Sequence, residues 1–317
     1  MELVLLGIPI GIILLYFASE WLVRGAKGLA TKLHVTPFII GLTVVSMGTS
    51  APEAITSVVS TSNPELILGN VVGSNIVNIG VAISVSALIS PIVSKYSGMR
   101  IEMISMILLS LFVVILCAFD SIGLVQGIVL LALMLLFYFV VYKLKKNDAS
   151  GQEAYTAEIG EEKLGTLPLI GLVALGLVLL YVGARVFVDG AVELAHIMGL
   201  SDLLIGLVIV AIGTSLPEIC VSALAARRGE NELAVSNIIG SNIFNIVFVL
   251  GIGAVLTDIP VSPNLMVIHL PVMVLLALMM FLVVRYKDGI GRMGGAALLA
   301  VYVAYIAIMV MNPDLTI

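Results

Sequence analysis

Apolar runs of roughly twenty residues follow one another along almost the whole chain, at about 3–19, 36–60, 66–92, 101–118, 121–142, 165–186, 203–225, 233–257, 264–284 and 294–311. A helix of about 20 residues crosses the ~30 Å hydrocarbon layer of a bilayer, and these runs have that length. Strands of a transmembrane barrel alternate apolar and polar residues over about ten positions, which these runs do not do. The expected fold is therefore an all-α integral membrane protein of ten transmembrane helices. Charged residues are only 11% of the 317, against about 25% in soluble domains, too few to clothe a water-facing surface. A soluble enzyme is excluded, and so is nucleic acid as a partner, because no basic stripe is present to neutralise phosphates. The first run follows Met1-Glu2 and lacks a small-residue cleavage pattern before Trp21, so it reads as a retained span. Cys117 and Cys220 sit in apolar runs far apart and imply neither a disulfide framework nor a metal-thiolate site.

Basic residues set the orientation. Fourteen of the 15 Lys and Arg fall in the loops after odd-numbered spans, and Arg185 alone falls on the other side. By the positive-inside rule the odd loops are cytoplasmic and both termini are extracellular. The polar stretch 143–164 is then a cytoplasmic linker, too short for a domain, between units 1–142 and 165–317.

Those two units repeat one another. Ile40 to Ser57, IGLTVVSMGTSAPEAITS, overlays Ile205 to Ser222, IGLVIVAIGTSLPEICVS. After a two-residue insertion, NVVGSNIVNI from Asn70 overlays NIIGSNIFNI from Asn237. Apolar chains resemble one another by chance, but shared Gly-Thr-Ser-x-Pro-Glu and Gly-Ser-Asn-x-x-Asn segments are not explained that way. Each unit holds five spans, an odd number, so the second enters the membrane from the opposite side. This is the inverted-repeat plan of secondary transporters, with the substrate near the midplane between the repeats.

Glu53 and Glu218 occupy matching places deep in spans 2 and 7. Ser50-x-x-Glu53 and Ser215-x-x-Glu218 fit a helix capping box, with Pro52 and Pro217 in the first turn. A cap contributes ~1 kcal/mol, whereas an ionised residue at mid-membrane costs ~2.5–3.5 kcal/mol on insertion scales, so capping alone does not account for two acids there. Gly48 and Gly213 followed by the prolines should interrupt both spans and expose backbone carbonyls. Carbonyls of Ser46, Thr49, Ala211 and Thr214, hydroxyls of Ser50 and Ser215 and the two carboxylates make an all-oxygen set. Hard cations such as Ca²⁺, with about 6–8 oxygen ligands, suit it. No His lies nearby, and the single Cys near the acids, Cys220, is too little for a zinc or copper site. His34, His196 and His269 fall near span ends and read as interfacial residues. Ser74 and Asn78 share a helix face, as do Ser241 and Asn245. Asn78 and Asn245 are assigned to the ion site, while Asn75 and Asn242 fit helix packing equally well.

The paired GTSAPE and GTSLPE segments, each followed by GSNIVN or GSNIFN, resemble the two alpha repeats of the sodium/calcium exchanger family, and the likeness covers essentially the whole chain. The resemblance implies Na⁺/Ca²⁺ antiport by alternating access, with no enzymatic activity and no permanently bound cofactor. Ca²⁺ and Na⁺ are the transported partners, alongside membrane lipid, and no obligatory protein partner is evident. Glu53 and Glu218 would bind both ions, and Thr49 and Thr214 would give oxygens to Ca²⁺. Ser50, Ser74, Ser215 and Ser241 would serve Na⁺, completed by carbonyls of Ser46 and Ala211, with Thr214, Asn78 and Asn245 beside them. The plasma membrane is the expected location. Potassium-dependent relatives carry Asp where Asn245 stands, so K⁺-independent exchange is expected. Proton-coupled antiport is the alternative, although the Gly-Asn-x-x-Glu motif of the proton/calcium branch is absent at Gly69-Asn70.

Two readings from other classes fit less well. A channel's selectivity ring needs symmetric subunits or four repeats, and a hydrolase needs a nucleophile beside a base or an H-E-x-x-H motif, neither of which occurs. At repeat-equivalent places Glu20 aligns with Arg185 and Arg24 with Asp189. Gating ion pairs and plain interfacial charges explain this equally well.

Overall fold

The computed structural model describes residues 2–145, 162–199, 205, 209 and 211–315. Beyond a short turn at Glu2–Leu5, its helical elements are α1 (Gly7–Lys32), α2 (Pro37–Ser62), α3 (Glu65–Ile89), α4 (Tyr96–Leu116), α5 (Leu124–Lys145), α6 (Thr166–Ile197), α7 (Ala211–Thr214 then Leu216–Arg227), α8 (Asn231–Leu256), α9 (Leu265–Lys287) and α10 (Arg292–Met311). Among the described residues all but α7 are long and apolar enough to cross a membrane. Most of the expected linker, and most of the run from 203 to 210, lie outside the described residues.

The two helices that carry the Gly-Ser-Asn segments form the centre. In α3 and α8 the most apolar window is 78% and 83% buried, against 22% in α5 and α10, which therefore line the rim. Small residues permit this, because without a hydrophobic force between helices in lipid, association depends on close backbone approach. At Gly240 a Cβ would stand 2.7 Å from the Leu42 carbonyl oxygen, so α8 lies backbone to backbone on α2. Both central helices widen into a π-helical turn at the same motif position, Asn78–Ile83 in α3 and Asn245–Leu250 in α8. Such turns in otherwise regular helices concentrate at functional sites.

α1 and α6 form a long antiparallel pair. Gly176 packs on Ala18 and Leu22, Gly183 on Leu14 and Leu15, and Gly190 on Val4 and Ile8. The contact position falls along α1 as it rises along α6. A spacing of seven residues is two helical turns, so these glycines form one smooth stripe. Both helices run past the ends expected for them. α6 has 32 residues, about 48 Å at 1.5 Å per residue. Arg24, Lys27 and Lys32 consequently sit in the last turns of α1 and Arg185 inside α6, not in loops, because long basic side chains reach the interface from within a helix.

Two short strand pairs tie the loops of each face. β1 (Ile92–Val93) and β4 (Gly289–Ile290) pair antiparallel, as do β2 (Ser121–Ile122) and β3 (Ile259–Pro260). Gly289, at φ 154°, lies against the Ile92 carbonyl, where any Cβ would collide. On the β1/β4 face, Lys27 pairs with Glu230 and Arg228 with both Glu20 carboxylate oxygens at 2.6 and 2.7 Å. Glu20 therefore reaches the α7–α8 turn, while its repeat equivalent Arg185 lies elsewhere.

Two further polar groups are buried. Glu102, an acid that the sequence did not single out, is 1% exposed and held by Lys145 at 3.4 Å, whose ammonium also covers the Phe38 ring. His269, in the first turn of α9, is buried, with Tyr305 Oη 2.7 Å from Nδ1 and the Leu315 carbonyl 3.2 Å from Nε2. The returning C-terminal segment, anchored by Asn264 Nδ2 to the Asp314 carbonyl at 2.8 Å, covers it.

Gly183→Leu should force α1 and α6 apart at a Cβ contact of 3.0 Å and cost about 1–3 kcal/mol as overpacking. Thermal unfolding in detergent reads this as a lowered Tm. An unchanged Tm would show that the stripe is not packed in this way.

Candidate cation site

Why α2 and α7 break is local. Ser50 (φ −86°, ψ 8°) and Ser215 (φ −91°, ψ 8°) leave helical geometry just before Pro52 and Pro217. Proline lacks the amide hydrogen that would continue the preceding turn. Each helix resumes with its acid in the first turn, Glu53 in α2 and Glu218 in α7. The glycines have a different part from the one expected of them. Gly48 faces Leu177 and Gly213 faces Val188, so they let α6 approach the broken helices and do not themselves unwind them.

The capping-box expectation fails, because neither serine makes a side-chain cap. Ser50 Oγ instead crosses between the two units and donates to Glu218 Oε1 at 2.9 Å. Ser241 Oγ lies 3.4 Å from the same oxygen and 3.5 Å from the Ser46 carbonyl. A charged acceptor binds a hydroxyl about twice as strongly as a neutral one, which favours this use of Ser50 over a backbone cap.

Glu53 and Glu218 are 1% and 0% exposed, and their carboxyl groups face one another, with Ser74 beside Glu53 and Thr49 beside Glu218. The arrangement is asymmetric. Glu218 is held by Ser50, whereas both oxygens of Glu53 and the hydroxyl of Ser215, the repeat equivalent of Ser50, have no hydrogen-bond partner among the described residues. Glu218 Oε2, both amide atoms of Asn78, Asn242 Oδ1 and Asn245 Oδ1 share that condition. Buried polar atoms are normally paired, and a group of them at one point is the mark of a site for an ion or water.

The structure thus gathers Glu53, Glu218, Ser50, Ser74, Ser241, Thr49, Asn78, Asn245, Ser215 and Ser46 around the meeting of α2, α3, α7 and α8. Ala211 opens the first turn of α7. Thr214, half-buried, lines a neighbouring cavity of about 120 Å³ with Pro52, Thr56, Tyr181, Arg185 and Pro217. At ~30 Å³ of liquid per water molecule, that space admits several waters or a hydrated cation. Asn75 serves packing, donating to the Asn242 carbonyl at 3.2 Å and accepting from Asn245 Nδ2 at 3.2 Å.

A supporting layer was not singled out from the sequence. Asn237 Nδ2 donates to Ser222 Oγ at 3.0 Å, and Asn237 Oδ1 accepts from Thr49 at 3.3 Å. In the other unit Asn70 Nδ2 donates to the Glu53 carbonyl at 3.3 Å and lies 3.5 Å from Ser57 Oγ. The signal was present, since Asn70 overlays Asn237 and Ser57 overlays Ser222 in the repeat.

The family model for "Sodium/calcium exchanger protein" matches residues 3–143 and 168–311. The chain belongs to the sodium/calcium exchanger family. It is 35% identical to an uncharacterised membrane protein of Methanocaldococcus jannaschii, over 96% of this chain and 97% of that protein. It is 29% identical to the sodium/calcium exchanger MaX1 of Methanosarcina acetivorans, over 95% and 96%. A solved structure of the sodium-calcium exchanger NCX_Mj, soaked with zero Na⁺ and Ca²⁺, superposes with a TM-score of 0.81 at 33% identity, covering 97% of this chain and 99% of that one. Family and fold make the chain a multi-pass helical membrane protein of a transporter family.

Ser50→Ala should weaken Ca²⁺ binding about tenfold or more, the worth of a hydrogen bond to a charged group. Ser215→Ala should change it less, because that hydroxyl is not engaged. Calorimetric titration of the detergent-solubilised protein with Ca²⁺ compares the two, and equal losses would contradict this asymmetry.

Proposed function

We propose that the chain is a secondary-active antiporter that exchanges Na⁺ for Ca²⁺ by alternating access, with Glu53 and Glu218 as the ligands that both ions contest. The observation that carries this reading is the pair of buried, facing carboxylates surrounded by unpartnered oxygens, in a chain of this family. Two carboxylates are neutralised by one Ca²⁺ or by two Na⁺. The loaded site therefore hides its charge from the bilayer, and the empty site, with two bare charges, crosses reluctantly. That difference makes exchange obligatory. Ser50, Ser74, Ser215 and Ser241, with Thr49, Thr214, the Ser46 and Ala211 carbonyls and the amides of Asn78 and Asn245, complete the oxygen shell.

Ten crossings in two inverted units of five, joined by the 143–164 linker, fit this mechanism. Support comes from the contact of Lys27 at the end of α1 with Glu230 after α7, which returns the chain to one face and requires an even number of crossings between them. The antiparallel α1–α6 pair, held together along its glycine stripe, is suited to moving as one unit against the other helices. Breaking the Lys27–Glu230 and Glu20–Arg228 pairs frees the end of α1 for that movement. In this reading the excess of basic residues puts this face in the cytoplasm and the termini outside, with the plasma membrane as the expected location. The chemistry is transport of Na⁺ and Ca²⁺, with no bond made or broken, and in this reading it needs no permanently bound cofactor and no obligatory protein partner.

Proteoliposomes loaded with Na⁺ and diluted into Na⁺-free medium should take up radiocalcium. Uptake should require internal Na⁺, survive a proton ionophore and vanish in Glu53→Gln. Uptake that ignores Na⁺ and follows a pH gradient would make the chain a proton-coupled antiporter. Exchange is K⁺-independent in this reading, because Asn245 adds no third negative charge. Asn245→Asp should introduce K⁺ sensitivity or a changed ion affinity, and a variant identical to wild type in flux assays with and without K⁺ would refute that reason.

A further inference from the structure

Arg185 is the one basic residue on the face away from the basic loops, and the fold places it in the wall of the cavity beside the carboxylates. Pro52 and Pro217, the residues just before Glu53 and Glu218, line the same cavity, as does Thr214. Arg185 is exposed and has no hydrogen bond or ion pair among the described residues, although Asp189 follows one turn later. Its charge is therefore not consumed by a partner. In a cleft with low-dielectric walls, field lines from such a charge are focused on the ion path. A cation approaching two carboxylates through this cavity passes a fixed positive charge, which is the wrong sign for steering and needs a reason.

The repeat supplies the contrast. Glu20 holds the equivalent place in α1 and sits on the opposite face, where Arg228 engages it. The two units thus carry opposite charges at corresponding positions, negative toward the basic face and positive toward the other.

Resting on the exchange reading above, we infer that Arg185 is a specificity-determining residue: its charge lowers the affinity of the site for cations entering from its own face, and for Ca²⁺ more than for each Na⁺. Coulomb repulsion scales with ionic charge. A unit charge about 10 Å away in a water-like medium shifts the affinity of a monovalent ion about 2-fold and of a divalent ion about 4-fold. The consequence is a site that takes up Ca²⁺ more readily from the basic face and releases it more readily past Arg185.

The test compares wild type, Arg185→Gln and Arg185→Lys in right-side-out and inverted membrane vesicles, reading the half-saturating Ca²⁺ and Na⁺ on each face. Removing the charge should lower half-saturating Ca²⁺ on the Arg185 face about 4-fold and half-saturating Na⁺ about 2-fold at low ionic strength. The lysine variant should match wild type, the opposite face should not change, and added choline chloride should shrink the difference by screening. Glutamine and lysine variants that behave alike, or a shift equal on both faces, would overturn the inference. Wild-type protein without Na⁺-dependent Ca²⁺ uptake would instead refute the exchange reading. Arg185 would then be judged by Ca²⁺-dependent thermal stabilisation of the purified proteins: a lower Ca²⁺ requirement in the glutamine variant alone upholds its role, and identical curves exclude it.

Discussion

Two carboxylates facing each other in the middle of an apolar helical bundle are the constraint on which this structure turns. Removing a carboxylate from water costs several kcal/mol per ion even after relaxation, and placing a second beside it adds repulsion. The hydroxyls of Ser50 and Ser241 offset part of that cost at one oxygen of Glu218. In the exchange reading a cation from outside the chain supplies the compensating charge, and the unpartnered oxygens around Glu53 and Glu218 are the means of holding it. The breaks at Ser50 and Ser215 follow from the same demand, since an unbroken helix would spend its backbone groups on itself and present only side chains to an ion.

Close approach is what makes so dense a polar centre possible inside a membrane protein. Gly240 brings α8 onto the backbone of α2, so that Ser241 stands between the Ser46 carbonyl and Glu218. The amide ladder of Asn75, Asn242 and Asn245 then joins α3 to α8 across the centre. Asn70 and Asn237 fix the broken helices from behind through Ser57, Ser222 and Thr49. A transporter site needs ligands held firmly enough to select an ion, while the elements around them move. The glycine stripe of α6 holds α1 and α6 together as one pair beside that core.

Asymmetry between halves that share their motifs is the other organising fact. Ser50 engages Glu218 while the Ser215 hydroxyl has no partner among the described residues, and ion pairs tie one face while a cavity lies beside the carboxylates. Inverted repeats related by a pseudo-two-fold axis can exchange conformations, but in any one state the two halves must differ. The charges at positions 20 and 185 add a permanent difference that no exchange of conformations removes.

Much of this was legible without coordinates. Long apolar runs determined the helices, because a bilayer leaves the backbone no other way to satisfy its hydrogen bonds. The repeated Gly-Thr-Ser-x-Pro-Glu and Gly-Ser-Asn-x-x-Asn segments singled out Glu53, Glu218 and nearly the whole polar shell, since polar groups in lipid are costly enough to mark function. What only the tertiary structure decided was partnership. Ser50 looked like a cap for its own helix and is bonded across the interface. Glu20 aligned with Arg185 and pairs with Arg228. Glu102, which the sequence did not single out, is buried under Lys145. Spacing along one chain reports which residues share a helix face, whereas the choice among partners of comparable chemistry depends on how separate helices cross, and that is fixed only when all of them have packed.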